Sequence, residues 1–250
     1  MVTGAGRGIG QGVAEALARE GARVALWGRT AASLDSVAET ITAAGGKALT
    51  MACDVSDPES VAAAARAVRE ALGPVDILVN NAGVAHSAPL ARTTVSDWNR
   101  ILAVNATGTF LCTQTFLPDM TARGFGRVIN IASTAARMGA RYISAYAASK
   151  HAVLGFTRSV AAEVAAAGVT VNAVCPGYVD TEMTRETVER IVAKTGRSPA
   201  EALDMVLATT PQRRLLEVDE VAFMVLSLCD PGARGVNGQA LVIDGGELLS

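Results

Sequence analysis

The first ten residues, Met1-Val-Thr-Gly-Ala-Gly-Arg-Gly-Ile-Gly10, run straight into a stretch of helical periodicity over 11–20 that Gly21 closes. Glycines between a strand and a helix let backbone approach a phosphate at the helix N-terminus, where the first amide hydrogens have no partner within the helix. The spacing G-x-G-x-x-G fails here, because it would need glycine at Ile9. The spacing Thr-Gly-x-x-x-Gly-x-Gly is met by Thr3, Gly4, Gly8 and Gly10. A strand of about 5 residues should precede such a loop, and only positions 1–3 are available. The expectation is therefore that Met1 is an internal residue of a longer chain, or that the start was cut.

Outward from this loop the pattern repeats. Apolar, β-branched runs predict strands over 23–27, 48–53, 75–79, 127–132, 169–175 and 240–244. Helical stretches separate them at 31–44, 57–72, 96–122, a helix carrying Tyr146 to position 167, and 218–228. Gly45-Gly46 and Gly73-Pro74 supply stops. Strict alternation of strand and helix, with no linker or low-complexity segment, argues for one domain over 1–250. The fold class is α/β: a Rossmann-like, doubly wound, seven-stranded parallel sheet with helices on both faces, in three α/β/α layers. The chemically unusual residues, Gly4 to Gly10, Arg29, Asp54, Asn80 to Gly83, Ser133 and Pro176-Gly177, each fall just after an expected strand. Open parallel sheets bind ligands beyond the carboxyl ends of their strands.

Composition narrows the function. Half of the 250 residues are apolar, enough for a large core, and the formal charge of −2 shows no basic excess for nucleic acid. No apolar run approaches the ~20 residues of a membrane span, and no signal-peptide pattern opens the chain. Cys53, Cys112, Cys175 and Cys229 are far apart in apolar company. They read as buried thiols in a reducing compartment, neither disulfides nor a zinc site, and His86 and His151 do not stand at metal-ligand spacing. Cytoplasm is the expected location, with no metal.

Ser133 and the run Tyr146-Ala-Ala-Ser-Lys150 carry the chemistry. A tyrosine and a lysine four apart share one helix face. An ammonium near a phenol favours the phenolate, which would bring the tyrosine down from ~10 towards working pH. A Ser133 hydroxyl beside that phenol would hold an oxygen, and the set suits moving one proton to or from an alcohol or ketone oxygen. His151, next to Lys150, points off this face. His86 sits in the loop after the fourth strand, where it either lines the pocket or does not. Arg137 and Arg141 either meet an anionic substrate group or belong to a solvated loop.

Taken together, Thr3-Gly4-x-x-x-Gly8-x-Gly10, Asp54-Val55, Asn80-Asn81-Ala82-Gly83, Asn105, Ser133, Tyr146-x-x-x-Lys150 and Pro176-Gly177 with Thr181 resemble the short-chain dehydrogenase/reductase family over nearly the whole chain. The resemblance implies an NAD(P)-dependent oxidoreductase that interconverts a ketone and a secondary alcohol. It implies that Tyr146 gives and takes the proton, that Lys150 lowers its pKa and holds the nicotinamide ribose, and that Ser133 orients the substrate oxygen. Asn105 would hold a water linking Lys150 to solvent, Asp54 would face the adenine, and Thr181 the nicotinamide carboxamide. Gly4, Arg7, Gly8, Ile9, Gly10, Arg29, Val55, Asn81, Ala82, Gly83, Pro176, Gly177 and Val179 complete the expected cofactor set. A homotetramer is also implied. The long, polar stretch over 181–211, placed after a strand end, is expected to act as a substrate lid.

At the end of the second strand a carboxylate would bind the ribose hydroxyls of NAD. Here Gly28 fills that slot and Arg29 follows, with Arg7 in the glycine loop nearby. Two guanidinium groups suit a 2′-phosphate, so NADP(H) is expected over NAD(H). The segments around Ser149 to His151 and Val174 to Val179 resemble 3-oxoacyl-thioester and polyketide ketoreductases. The alternatives are a catalytically silent nucleotide-binding protein, a lyase or epimerase, and a dehydrogenase of simple alcohols, sugars or steroids.

Overall fold

The structure is a computed structural model that describes residues 1–248. Seven parallel strands form one sheet: β1 (Val2–Thr3), β2 (Arg23–Gly28), β3 (Lys47–Ala52), β4 (Ile77–Asn80), β5 (Gly126–Ile131), β6 (Val169–Pro176) and β7 (Ala240–Ile243). Their order is β3-β2-β1-β4-β5-β6-β7. The chain winds outward from β1 to β3, then returns to place β4 on the other side of β1. That reversal leaves a crevice beyond the carboxyl ends of β1 and β4, where doubly wound sheets bind their ligands.

The sheet is covered on both faces, as its near-continuous apolar strands require. One core joins β1, β2 and β5 to the helices α1 (Gly8–Arg19), α2 (Ala31–Ala43) and, late in the chain, α9 (Val218–Cys229), through Val13, Leu17, Leu34, Val37, Ile41 and Val225. The opposite core lies under α3 (Pro58–Leu72), α5 (Gly108–Arg123) and α6 (Ser144–Val164), around Trp27, Leu78, Phe116 and Met120. The Trp27 and Phe116 rings lie 5.8 Å apart. Asp57 caps α3, accepting from the Glu59 amide, with Pro58 at the first position, as its sequence announces.

The expected helical region over 96–122 is built from α4 (Val95–Leu102), a π-helical turn over Ala103–Thr107, and α5. The wide turn contains Asn105, whose side chain leaves the helix to bond backbone of the neighbouring loop. Turns of this kind collect at functional sites. Helix α1 begins at Gly8, inside the glycine loop, earlier than the periodicity suggested. The region after β6 holds α7 (Glu182–Thr195) and α8 (Pro199–Leu207). Gly196, at φ +69°, ends α7, and a reciprocal capping box between Ser198 and Glu201 starts α8. No helix among the described residues is long and apolar enough to cross a membrane.

Candidate active site

The glycine loop closes tightly between β1 and α1. A Cβ on Gly10 would stand 2.2 Å from the Gly4 carbonyl oxygen, so only glycine allows the helix to start there. The N-cap of α1, Arg7, is extended and makes no side-chain cap bond, so no side chain closes off the amides of the first turn. Thr3, at the end of β1, and Asn81, just after β4, brace this loop. The Thr3 hydroxyl accepts from the amides of Asn81 and Ala82, both at 3.0 Å. Asn81 Nδ2 donates to the carbonyls of Thr3 and Gly4 at 3.0 and 3.1 Å. The Asn81 side chain, expected as a cofactor ligand, is thus committed to holding the loop in shape.

Across the crevice, Ser133 follows β5 and Tyr146 sits in the first turn of α6. The Ser133 hydroxyl is hydrogen-bonded to the Tyr146 phenol. Lys150 is buried one turn along, and its Nζ lies 5.7 Å from the centre of the Tyr146 ring. That ammonium donates to the Ile131 carbonyl at 2.7 Å, at the end of β5. Burial lowers the Lys150 pKa to about 8. Burial also raises that of Tyr146, against the smaller lowering effect of the Ser133 hydrogen bond. This reverses the expectation from spacing. Sharing a helix face sets neither the desolvation of the phenol nor the backbone carbonyl that draws the ammonium away.

Asn105 is locked rather than open. Its Oδ1 accepts from the Val84 amide at 2.8 Å, and Nδ2 donates to the Val84 carbonyl at 2.9 Å and to Ser149 Oγ at 3.0 Å. Ser149 in turn donates to the Tyr146 carbonyl at 2.7 Å. The loop after β4 is thereby tied to the turn of α6 that carries Tyr146 and Lys150. Sequence reasoning missed Ser149, although it stands inside the Tyr-x-x-x-Lys run and is fully buried.

One pocket gathers Ile9, Asn81, Gly83, Ser133, Tyr146, Lys150, Pro176, Gly177, Val179 and Thr181, all expected, together with Met183 and Thr184 from α7. Met183 and Thr184 had no signal beyond their position after a strand. Asp54 and Val55 lie farther along the same edge, beyond β3, and do not line this pocket. Asp54 caps its own turn through the Ser56 hydroxyl and amide at 2.6 and 2.9 Å, which hold its carboxyl below the usual range, with Arg29 a lesser influence. Val55 is buried against Gly108, where a Cβ would come within 2.7 Å of its side chain. His86 faces Asp97 at 3.9 Å, outside this lining. His151 bonds the Ala147 carbonyl on the exposed side of α6. Arg137 and Arg141 are exposed and also lie outside the lining. A second hollow, at the amino ends of β2 and β4, is lined by Met1, Leu17, Val24 and Ile77, on the far side of the sheet.

The residues present fit a dinucleotide: a glycine loop at an uncapped helix start, the pocket of Tyr146 and Lys150, and a cationic end by β2. There a Cβ on Gly28 would already touch Leu34 at 3.2 Å. Arg29 has no carboxylate at ion-pair distance among the described residues, whereas Arg7 is paired with Glu182 of α7. The expected flanking of one phosphate by two free guanidinium groups therefore holds only for Arg29 in this state.

Comparison with known proteins agrees with this geometry. The profile of the short chain dehydrogenase family matches residues 1–191. The chain is 42% identical over 247 residues to galactitol 2-dehydrogenase (L-tagatose-forming) of Cereibacter sphaeroides, covering 98% of this chain and 92% of that one. It is 38% identical over 246 residues to 3-oxoacyl-[acyl-carrier-protein] reductase of Vibrio cholerae, covering 98% and 95%. A crystal structure of a variant actinorhodin polyketide ketoreductase with NADPH superposes with a TM-score of 0.95 at 40% identity, covering 98% of this chain and 95% of that one.

Proposed function

The chain belongs to the short chain dehydrogenase family, and from that premise we propose that it reduces the keto group of a 3-oxoacyl thioester or a related ketone, using NADPH. It is an oxidoreductase that interconverts a ketone and a secondary alcohol. A bound nicotinamide supplies the hydride, and the chain supplies position and the proton. The observation that carries the reading is the convergence of the Ser133 hydroxyl, the Tyr146 phenol and the Lys150 ammonium in one pocket.

In reduction, Ser133 holds the ketone oxygen beside Tyr146, and Tyr146 Oη gives it the proton as negative charge develops there. Burial raises the Tyr146 pKa, which favours the protonated form that reduction needs. Lys150 supplies positive charge one turn away and favours the phenolate left behind. Asn105 and Ser149 hold the turn that carries both groups. Residues 181–211 form the lid of a single cofactor-binding and catalytic domain. NADPH is preferred because Gly28 leaves no carboxylate at the end of β2 and Arg29, which makes no ion pair among the described residues, can meet a phosphate. The thioester is favoured over a polyol by the resemblance of the segments around Lys150 and Pro176-Gly177 to ketoreductases. A cytoplasmic homotetramer completes the reading. Its support is four free thiols, three of them buried, and the exposed Phe110 and Phe223.

The test follows absorbance at the nicotinamide band with acetoacetyl thioesters, simple ketones and polyols, in wild type and Tyr146→Phe. Wild type should turn over the thioester best. The variant should still bind NADPH while losing about 10²- to 10⁴-fold in turnover, the usual range for a positioned proton donor. Near-normal turnover in a correctly folded Tyr146→Phe protein would falsify the assignment. Faster oxidation of a polyol would move the substrate to the sugar alcohols.

A further inference from the structure

We propose that Glu182 is a specificity-determining residue for the cofactor: it holds Arg7 in the free enzyme, and a phosphate on the adenosine ribose must displace it. This rests on the reading of Arg7 as a phosphate ligand.

Arg7 stands in the glycine loop as the N-cap of α1, and Glu182 opens α7, the first helix of the lid. The sequence separates them by 175 positions, yet their side chains form an ion pair. Both are well exposed, at 67% and 56%, so the pair is not a prop of the core. A second contact supports the same seam: a Cβ on Gly8 would stand 3.2 Å from the Thr181 methyl group, so the start of the lid rests on the loop. The other carboxylate at this lid hinge, Asp180, is occupied by Arg185 at 3.1 Å. Glu182 is the one acidic side chain in the first turn of α7.

Arg7 therefore has a resident anion. A 2′-phosphate, with up to two negative charges, competes for the same guanidinium and is repelled by the Glu182 carboxylate until the pair opens. NADH has no such phosphate and leaves the pair intact. Glu182 thus opposes NADPH selectively, and its loss from Arg7 frees the first turn of the lid when NADPH binds.

The experiment measures dissociation constants for NADPH and NADH by calorimetry in wild type, Glu182→Gln, Arg7→Ala and the double variant. Glu182→Gln should tighten NADPH by about two- to five-fold, the range of an exposed ion pair, and leave NADH unchanged. Arg7→Ala should weaken NADPH alone, and Glu182→Gln should then have no further effect. An equal shift for both cofactors in Glu182→Gln, a weakening of NADPH, or the same tightening without Arg7 overturns the role of Glu182. If Arg7→Ala leaves NADPH binding unchanged, it is the phosphate reading of Arg7 that fails.

Discussion

Tertiary context alters Lys150 strongly. Tyr146 and Lys150 could be read from their spacing as neighbours on one face, and the structure brings them together. The spacing held no information on the Ile131 carbonyl, which β5 delivers at 2.7 Å, or on the burial that lowers Lys150 from 10.5 to about 8. A pH dependence follows. Between those two values the folded protein holds fewer protons on Lys150 than the unfolded chain, so unfolding takes up a proton. Stability on this account rises with pH across that window and is lowest below it. From about pH 7 to about pH 9.5 the free wild-type protein should gain about 2 kcal/mol relative to Lys150→Met. Urea unfolding at the two pH values measures it, and a flat or opposite difference would contradict the burial of an ammonium there.

At the scale of elements, the lid and the π turn differ in how well they can be read. The capping pattern Ser198-Pro199-x-Glu201 is local, and α8 begins where it says. Asn105 in the π turn bonds Val84, 21 positions away, and helical periodicity carries no sign of that contact. Helices α7 and α8 bury little: Thr184 in α7, and Ala202 and Val206 in α8. All eight residues of β6 are buried. Segments with few buried apolar contacts open most easily. Amides of α7 and α8 should therefore exchange at least about tenfold faster than those of β6 in the free protein, and slow when NADPH and a ketone are present. Exchange as slow in α7 as in β6 would rule out a mobile lid.

At the scale of the whole molecule, the sheet ends on β7, whose residues are only partly covered. Phe223 on α9 is 68% exposed, and Phe110 on α5, edge-on to Phe156 of α6, is 42% exposed. Open strand edges and exposed aromatic side chains are costly in water and are commonly covered by a second copy. The expected state is a homotetramer at micromolar concentration by light scattering. Phe223→Glu should lower the mass by breaking one set of contacts. A monomeric wild type would remove the basis for this assembly.

Local sequence accounts for the alternation of strands and helices, the glycine loop, the placing of Tyr146 and Lys150 on one helix face, and the absence of a carboxylate at Gly28. These rest on short-range causes: apolar periodicity, residues that stop a helix, backbone freedom at glycine, and side chains one helical turn apart. The tertiary structure alone decided that β4 returns beside β1 to make the crevice. It also decided that Thr3 and Asn81, 78 positions apart, clamp the glycine loop, that Arg7 is paired with Glu182, and that Tyr146 is driven up rather than down. Each depends on which distant groups packing brings into contact and which it takes out of water, and neither is encoded in any local pattern of residues.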